Sequence, residues 1–326
     1  MAFKQLLKTL ADGQFHSGEE LGSLLGVSRT AVWKQLQKLQ EVTELPLESV
    51  KGRGYRLIGG IELLDLDAVR HSLSLAAASL LSVLNFLDEI DSTNRFALSE
   101  AQNGAGRGYV VAAEQQSAGR GRRGRTWVSP YARNIYCSAI WEFDGGAAAL
   151  EGLSLAVGVA VARALASVGV KDVGLKWPND VVWAGRKLAG ILLEMTGDAA
   201  GRCQVIVGIG INVSMAGAAS ATSIDQPWVD VQTAVGGTAS RNQLLASLLS
   251  ELLPALAEFE QFGFSRFHEV WSGLDCLAAK DVAVHLGESI VMGTAAGVNQ
   301  TGALMVDTPM GRQIFHGGEV SLRLRN

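Results

Sequence analysis

Arginines and glycines alternate in the segment 119–125, which reads Gly-Arg-Gly-Arg-Arg-Gly-Arg. Guanidinium groups bind carboxylates and phosphates through paired, charge-assisted hydrogen bonds, and glycines let backbone amides come close to an anion. A solvated basic run is the simpler interpretation, but surface charge alone does not need glycines spaced among arginines. The segment therefore predicts a flexible loop that grips an anionic ligand and becomes ordered when the ligand binds.

The same segment matches the dinucleotide-binding pattern G-x-G-x-x-G. That pattern requires apolar residues and a helix directly after the glycines. Here arginines fill the gaps, and the next residues, Thr126-Trp127-Val128-Ser129-Pro130, do not start a helix. The context therefore disfavours a Rossmann-type dinucleotide site.

Four polar residues, Asp91-Ser92-Thr93-Asn94, follow an apolar strand and open a predicted helix. Each of these residue types is a preferred helix cap, so capping is the simpler interpretation for any one of them. Four in a row exceed what one cap needs. The spare hydroxyls and amide predict a binding site for a polar, uncharged group of a ligand.

A second polar block, Lys176-Trp177-Pro178-Asn179-Asp180, ends another strand with a kink at its proline. Asp180 has the chemistry of an Mg²⁺ ligand, although Asn-Asp is also ordinary in turns. Lys187 precedes an apolar strand at 188–193. Its ammonium either extends to water or places a point charge on a carboxylate or phosphate, and both interpretations stay open here.

Glycines alternate with apolar residues in Val207-Gly208-Ile209-Gly210-Ile211-Asn212. In a strand, such glycines mark either a bulge or the close approach of a ligand or another backbone. The pattern alone does not decide between them.

Three regions with different hydrophobic patterns position these groups and together predict an α+β multidomain protein. Residues 1–62 predict a winged helix-turn-helix, because helices with apolar faces precede two strands and a basic glycine turn. Residues 63–275 alternate strands and helices, which is typical of a mixed α/β domain. Residues 276–326 show period-two alternation at close spacing and predict a small SH3-like β-barrel.

Within the central region, the pattern predicts helices at 93–103, 148–168, 241–261 and about 263–271. The Ser, Ala, Gly and Pro residues of 214–228 predict an exposed loop there. The most apolar stretch, Gly152–Ala162, is too short to cross a bilayer and predicts a buried helix.

The N-terminal region also predicts a DNA-binding surface. Its third helix has polar and basic residues opposite the apolar stripe, which suit the major groove, and its basic turn suits backbone phosphates. A winged helix that serves only protein contacts is the alternative. The predicted DNA-binding residues are Ser28, Arg29, Thr30, Lys34, Gln35, Lys38, Lys51 and Arg53.

The composition is that of a folded protein. The chain of 326 residues is 48% hydrophobic and 18% charged, with a formal net charge of −4, which excludes global disorder but allows local basic patches. Cys137, Cys203 and Cys276 lie far apart without metal-ligand spacing, so they predict reduced, buried thiols. With no apolar signal segment at the N-terminus, these features predict a soluble, cytoplasmic protein.

Taken in order, the segments 91–94, 119–125, 176–180, 186–192 and 208–212 closely resemble those of the biotin protein ligases. The winged helix in front makes the chain similar to the bifunctional members, which also repress the biotin operon. The resemblance spans essentially the whole chain. It implies a central biotin/lipoate-ligase-like catalytic domain.

The resemblance implies roles for individual residues. Ser92, Thr93 and Gln116 are expected to contact the biotin ring, and Lys187 its carboxyl group. Asp180 is the expected magnesium ligand. The expected catalytic residues are Arg120, Arg122 and Lys187. The expected biotin-binding residues are Ser92, Thr93, Asn94, Gln116, Arg120, Gly121, Arg122, Lys187, Gly190, Gly208 and Gly210. The expected ATP- and adenylate-binding residues are Arg122, Arg123, Trp127, Lys176, Asn179, Asp180, Asn212 and Trp228.

The implied activity is that of an ATP- and Mg²⁺-dependent ligase that forms biotinyl-5′-AMP and transfers biotin to a lysine of the biotin carboxyl carrier domain of acetyl-CoA carboxylase. The resemblance also implies an operator-binding repressor that forms a homodimer when adenylate is bound, with no membrane partner. A lipoate-type acyl-protein ligase and a non-catalytic, biotin-binding DNA sensor are the alternatives. The arginine-glycine segment favours biotin over lipoate, and the intact Asp180 and Lys187 argue against a sensor.

Overall fold

The computed structural model describes residues 2–198, 200–287, 289–317 and 320–324. Its first elements are α1 (Ala2–Leu10), α2 (Gly18–Leu25), α3 (Arg29–Thr43), β1 (Leu47–Val50) and β2 (Gly54–Leu57). Ser17 and Ser28 precede α2 and α3, and their hydroxyls accept hydrogen bonds from the amides of Glu20 and Ala31. The strands β1 and β2 form an antiparallel hairpin. The predicted winged helix-turn-helix is thus confirmed.

The N-terminal elements pack around their own apolar core. The predicted stripe on α3, Val32, Leu36 and Leu39, is fully buried in it. Two residues from the central region, Tyr131 and Ala132, complete this cluster. The N-terminal region is therefore joined to the central one by apolar packing as well as by the chain.

The central region is built on a seven-stranded sheet with the order β3-β4-β5-β9-β8-β7-β6. Its strands are β3 (Val83–Ile90), β4 (Tyr109–Gln116), β5 (Ile135–Phe143), β6 (Val173–Lys176), β7 (Asp180–Trp183), β8 (Arg186–Gly197) and β9 (Cys203–Ile211). The strands β3 and β4 are parallel, and all other neighbours are antiparallel.

Helices cover both faces of this sheet. They are α4 (Leu66–His71), α5 (Leu75–Leu80), α6 (Thr93–Gln102), α7 (Leu153–Ser167), α8 (Val231–Val235), α9 (Arg241–Phe262) and α10 (His268–Leu274). Successive side chains of a strand point to opposite faces, so Val110 belongs to the core under α7 and α9, whereas Val111 packs under α6. The predicted mixed α/β region is confirmed.

Two of the predicted helices differ from those observed. The helix expected at 148–168 starts only at Leu153, since Gly152 has a φ of +79° and a short 3₁₀ turn, Gly146–Leu150, precedes it. The helix expected at about 263–271 is split into the 3₁₀ turn Phe264–Arg266 and α10. Gly263, with φ 64° and ψ −163°, ends α9 and prevents a continuous helix.

The apolar segment around α7 is longer than predicted. Among the described residues, Gly146–Ser167 alone is long and apolar enough to cross a membrane by length and composition, and 61% of an apolar 18-residue stretch within it is buried inside the protein. The helix α7 packs mainly against α9. It is therefore a core helix, as predicted.

The C-terminal strands form a second, five-stranded sheet in the order β13-β12-β11-β10-β14, antiparallel throughout. They are β10 (Asp281–Leu286), β11 (Ser289–Val298), β12 (Leu304–Thr308), β13 (Gly311–Phe315) and β14 (Val320–Leu324). Leu304 and Val306 share the main core with α7 and α9, and the Trp177 indole donates a hydrogen bond to the Gly302 carbonyl. This sheet therefore packs directly against the central region.

The predicted cysteine environment is confirmed for two residues. Cys137 and Cys203 are buried, whereas Cys276 is half buried, and all are free thiols. Burial raises the pKa of the Cys137 thiol to about 12, so this thiol stays protonated and unreactive at neutral pH.

A buried ion pair fastens the connection between the N-terminal and central regions. Arg241 Nη1, at the start of α9, lies 2.7 Å from Glu114 Oε2 on β4, and both side chains are almost fully enclosed. The other Glu114 oxygen accepts a hydrogen bond from the Leu64 amide. The Arg241 guanidinium also donates to the carbonyls of Glu62 and Asn134. The two charges thus offset each other, and the guanidinium also binds backbone carbonyls, where the chain leaves the winged helix.

We expect Arg241→Ala to lower the free energy of unfolding by roughly 3–5 kcal/mol, because it leaves the Glu114 carboxylate buried without its counter-charge. Urea-induced unfolding followed by circular dichroism measures the change. The control is Arg312→Ala, which removes an exposed partner of Asp307 and should leave stability nearly unchanged. Equal losses in the two variants would contradict the prediction.

Candidate active site

One cavity of about 960 Å³ opens beside the middle of the central sheet. Polar groups that follow different strands converge there because α6, β7, β8 and β9 all begin or end at this side. Every residue predicted to bind biotin, ATP or adenylate lines it: Ser92, Thr93, Asn94, Gln116, Arg120, Gly121, Arg122, Arg123, Trp127, Lys176, Asn179, Asp180, Lys187, Gly190, Gly208, Gly210, Asn212 and Trp228.

Uncharged polar groups cluster at the start of α6. Ser92 occupies the cap position, yet its side chain makes no capping hydrogen bond, so capping does not explain it. The Thr93 amide and hydroxyl both donate to Gln116 Oε1, at 2.8 and 3.1 Å. Gln116 Nε2 donates to the Ser129 hydroxyl. The cluster offers preorganised donors and acceptors without net charge.

The side-chain amide of Asn94 is hydrogen-bonded to other groups of the protein. Its amide nitrogen donates to the Leu192 carbonyl and to Glu194, and its oxygen accepts from the Ser138 hydroxyl at 2.7 Å. With these partners its donors are occupied. Asn94 therefore shapes the wall next to Thr93, and Ser138 and Glu194 are site-supporting residues that the sequence analysis missed.

The strand glycines make room for side chains. A Cβ on Gly208 would lie 2.0 Å from Asn94 Oδ1, and one on Gly210 would lie 2.5 Å from the Trp127 ring. A Cβ on Gly190 would lie 3.0 Å from the same ring. The register of β9 with both neighbours is continuous, which excludes a bulge there. The glycines thus allow two side chains to lie flat against the sheet.

The indole N–H of Trp127 is a candidate contact for a ligand. Its indole Nε1 is buried and has no hydrogen-bond partner among the described residues. A buried N–H without an acceptor is costly. The ring lines the cavity, so an acceptor atom of a ligand would satisfy it.

The arginine-glycine segment forms a small hairpin of its own. Arg120 and Thr126 are bridge partners, the Gly121 amide donates to the Arg125 carbonyl, and Trp127 closes back on Gly119. Arg123 turns the chain with a φ of +59°. Ordering of this loop by ligand stays a prediction.

Two guanidinium groups tie the loop to the sheet. Arg120 Nη2 lies 3.0 Å from Glu194 on β8, and Arg122 donates to Asn179 Oδ1 at 2.9 Å. Burial lowers the pKa of the Arg122 guanidinium, an effect that the nearby Asp180 carboxylate opposes. Both guanidinium groups therefore lie at the edge of the cavity.

Lys187 forms an ion pair inside the cavity, with Nζ 2.7 Å from Asp180 Oδ1. Its side chain is only 16% exposed, so extension to bulk water does not describe it. The Lys187 ammonium also lies 5.5 Å from the centre of the Trp127 ring, within cation–π range. Asp180 is the first residue of β7 and pairs with Lys176 of β6, so it is part of a strand and not only of a turn.

The donor set limits how a metal ion would bind. Within the described part of the chain, no group of three or more His, Cys, Asp or Glu side chains could hold one. Mg²⁺ is commonly held by one or two carboxylates together with substrate phosphates and water. Asp180 therefore fits Mg²⁺ only where phosphate oxygens complete the coordination.

The segment 214–228 is less exposed than predicted. Met215, Ala218 and Ala221 are buried and pack with Val128, next to the arginine-glycine hairpin. Backbone hydrogen bonds join Lys187 to Pro227 and to Val229, which places Trp228 at the cavity wall. The side-chain amide of Asn212, just before this segment, donates to the carbonyls of Lys187 and of Val229, which directly follows the segment. The segment is a packed flap, anchored at its base.

The predicted DNA-binding residues are exposed, with one exception. Ser28, Arg29, Thr30, Lys34, Lys38, Lys51 and Arg53 are exposed. Gln35 is half buried, and its Oε1 is enclosed without a partner among the described residues. Trp33, which is 50% exposed, is a further exposed residue of α3 that the analysis of basic residues did not include.

Family models match three parts of the chain. They describe an HTH domain at residues 4–56, the biotin/lipoate A/B protein ligase family at 86–212 and a biotin protein ligase C-terminal domain at 280–323. The three matches fall on the N-terminal, central and C-terminal regions described above.

Relatives and solved structures agree with these models. The bifunctional ligase/repressor BirA of Salmonella typhimurium is 40% identical and that of Escherichia coli 38% identical, each over 98% of this chain and 96% of the relative. The biotin protein ligase from Aquifex aeolicus, solved in complex with biotin and ATP, superposes with a TM-score of 0.66 at 29% identity. It covers 75% of this chain and 100% of its own.

We expect Gly208→Ala to destabilise the protein by roughly 1–3 kcal/mol, because the new methyl group overlaps Asn94 and forces the polar cluster apart. Denaturant-induced unfolding gives the value. Gly158→Ala is the matched control: it lies on α7, where the nearest atom to a Cβ is 3.4 Å away and alanine favours the helix. The prediction fails where both variants are as stable as the wild type.

Proposed function

The chain belongs to the biotin protein ligase family, as a member of the bifunctional ligase/repressor type, and we propose that it activates biotin with ATP and transfers it to a lysine of a biotin carboxyl carrier domain. One observation carries the proposal: the uncharged cluster, the arginine hairpin and Lys187 line a single cavity. Its volume, about 960 Å³, is at the upper end of the range for small-molecule sites, roughly 300–1,000 Å³. It therefore suits a two-part ligand such as biotinyl-5′-AMP.

Three cations perform the activation step. The carboxylate of biotin is a poor nucleophile towards ATP because the phosphates repel it, and Arg120, Arg122 and Lys187 offset this repulsion. They also align the carboxylate oxygen with the α-phosphorus, so that pyrophosphate leaves as the acyl-phosphate bond forms. Alignment and charge stabilisation are the main contributions that a protein makes to such transfers.

The two ends of biotin are recognised by different chemistry. The ureido ring is polar and uncharged, and it matches the Ser92, Thr93 and Gln116 cluster. Packed pairs form the walls of the ring site. Asn94 lies against Gly208, and Trp127 lies against Gly190 and Gly210. Gly121 supplies the close backbone approach at the acid end.

The adenylate is covered from two sides. On one side of the adenylate lie Arg123 of the hairpin and the indole N–H of Trp127. On the other side lies the flap 214–228 with Trp228. Lys176, Asn179 and Asn212 line the nucleotide part of the cavity. Because the mixed anhydride is hydrolysed by water, closure by these parts protects it until a carrier lysine attacks the acyl carbon.

Asp180 is proposed as the protein's ligand for Mg²⁺. Its carboxylate is paired with Lys187, and when Lys187 turns to the biotin carboxylate, Asp180 is left to take a cation. Bound there, the metal ion supplies charge neutralisation for the departing pyrophosphate.

The remaining parts of the proposal concern partners and organisation. We propose that α3 and the turn at 51–53 bind operator DNA, that the adenylate-bound protein acts as a homodimer in the cytoplasm, and that no membrane partner is involved. Domains are proposed at 1–62, 63–275 and 276–326. The antiparallel pairing of β10 to β14 supports an SH3-like barrel for the last of them.

The purified chain should release pyrophosphate when incubated with biotin, ATP and Mg²⁺, and should label a carrier domain, with no such reaction with lipoate. Lys187→Ala should slow formation of biotinyl-5′-AMP by roughly tenfold or more, since each charge-assisted hydrogen bond contributes roughly 1.5–3 kcal/mol. Its fold, checked by circular dichroism, should be unchanged.

The same assay separates the alternatives. Turnover of lipoate in place of biotin would identify a lipoate-type ligase. Binding of biotin without pyrophosphate release would identify a non-catalytic sensor. Wild-type rates in Lys187→Ala would remove that lysine from the activation step.

Binding to DNA should depend on salt in the way that phosphate contacts require. The DNA in the assay is the promoter region of the organism's biotin genes, and biotinyl-5′-AMP is present. Under these conditions Lys51→Ala should weaken binding and reduce the slope of log affinity against log salt by about one unit. Lys171→Ala, on the central region, is the control. Binding that is independent of salt, or equal effects of the two variants, would contradict the proposed surface.

A further inference from the structure

Glu194 contacts two parts of the proposed ligand site but does not itself line the cavity. One carboxylate oxygen lies 3.0 Å from Arg120 Nη2 in the arginine-glycine hairpin. The other accepts a hydrogen bond from Asn94 Nδ2 at 2.8 Å. The side chain is 20% exposed. It is thus an acidic residue on the strand β8 whose oxygens are divided between the hairpin and the start of α6.

On one side, Glu194 fixes the orientation of the Asn94 amide. Because the nitrogen of Asn94 donates to Glu194, its oxygen is left to accept from the Ser138 hydroxyl. That hydroxyl lies 2.9 Å from the Thr93 hydroxyl, and the Thr93 amide donates to Gln116. A series of polar contacts therefore runs from Glu194 to the residues proposed to bind the ring.

On the other side, Glu194 is one of the hairpin's anchors. The second is Asn179, which receives Arg122 and is itself bonded to the Ile191 backbone in both directions. Both anchor points are therefore fixed to β8. The hairpin gathers several like charges, which repel one another, and a carboxylate next to Arg120 offsets part of that repulsion.

We propose that Glu194 is a positioning residue for the ligase reaction: its carboxylate holds the ring-binding cluster and the arginine-glycine hairpin in register, and so keeps the hairpin closed over the adenylate. The inference rests on the proposed function. It adds a requirement for negative charge at position 194, where neither the ring nor the phosphate is contacted.

A role of Glu194 in folding stability and a role in positioning would be seen in different measurements. A partly exposed ion pair adds little to folding stability, so replacing Glu194 should leave the melting temperature close to that of the wild type. A positioning role instead predicts a specific change in how long the intermediate stays bound. Retention of biotinyl-5′-AMP is therefore the informative measurement.

The principal variant is Glu194→Gln, which keeps the shape and an oxygen for Asn94 but removes the charge that holds Arg120. The wild type and the variant are allowed to form radiolabelled biotinyl-5′-AMP, and release is followed after a chase with unlabelled biotin. We expect release to be roughly five- to tenfold faster in the variant, with the rate of adenylate formation changed less than twofold. Arg122→Gly, which removes the neighbouring anchor, serves as the positive control.

Glu142→Gln is the matched negative control. Glu142 lies on β5 of the same sheet, is 23% exposed and pairs with Arg202, but does not line the cavity. Its release rate should equal that of the wild type. Equal release rates for Glu194→Gln, Glu142→Gln and the wild type would overturn the proposal.

Salt provides a second arm that does not depend on the variant folding. An exposed or half-exposed ion pair is screened by salt, so release from the wild type should accelerate as KCl is raised, and more steeply than release from Glu194→Gln. Release from the wild type that is insensitive to salt would overturn the proposal even where the variant does not fold. A wild type that forms no biotinyl-5′-AMP would refute the proposed function instead.

Discussion

The segment 190–194 of β8 is the constraint on which the ligand site depends. Gly190 provides the surface for Trp127, Ile191 is bonded to Asn179 in both directions, and the Leu192 carbonyl receives Asn94. Glu194 then holds Arg120. Because this segment is paired with β9 throughout and with β7 at Gly190, these contacts share one rigid support. Loops that carry chemistry are precise only where such a support fixes them.

The segment 129–134 connects this site to the winged helix. Ser129 is bonded to Gln116 in the ring cluster, and Tyr131 packs in the N-terminal core. Asn134 accepts from Arg241 and from the Val213 amide at the base of the flap. A rearrangement of the hairpin or the flap therefore reaches residues that touch the DNA-binding region. Such contact is the physical requirement for a ligand to bias that region, provided that the ligand binds one arrangement more tightly than another.

Local patterns predicted the elements and the polar groups well, since a cap, a strand end or an apolar stripe is written in consecutive residues. The convergence of 91–94, 119–125, 176–180 and 208–212 in one cavity follows from their positions at strand and helix ends. Glu194 and the pair Arg241–Glu114 were not predicted, because their partners are distant in sequence and give no local signal. The break at Gly263 was missed because a single φ value decides it.

The glycines of β9 show how a correct pattern left its cause open. The alternation indicated either a bulge or a close approach, and the structure identifies Asn94 and Trp127 as the groups that approach. A sequence pattern records that space is needed but not which atom fills it. The flap 214–228 shows the converse: its small residues suggested exposure, yet Ala218 and Ala221 are buried with Met215 because small side chains also allow close packing.

The lysine of the cavity is already partnered in the protein alone. Lys187 is held by Asp180, so a substrate anion replaces a protein carboxylate there rather than meeting a bare cation. Exchange of this kind avoids the cost of an unpaired charge in a half-buried site. It also discriminates, because a neutral molecule offers nothing in return for breaking that pair. The uncharged cluster then selects by shape and hydrogen bonding among molecules that carry the acid. The acid is thus recognised by ion pairing and the ring by shape and hydrogen bonding, and β8 supports the residues that do both.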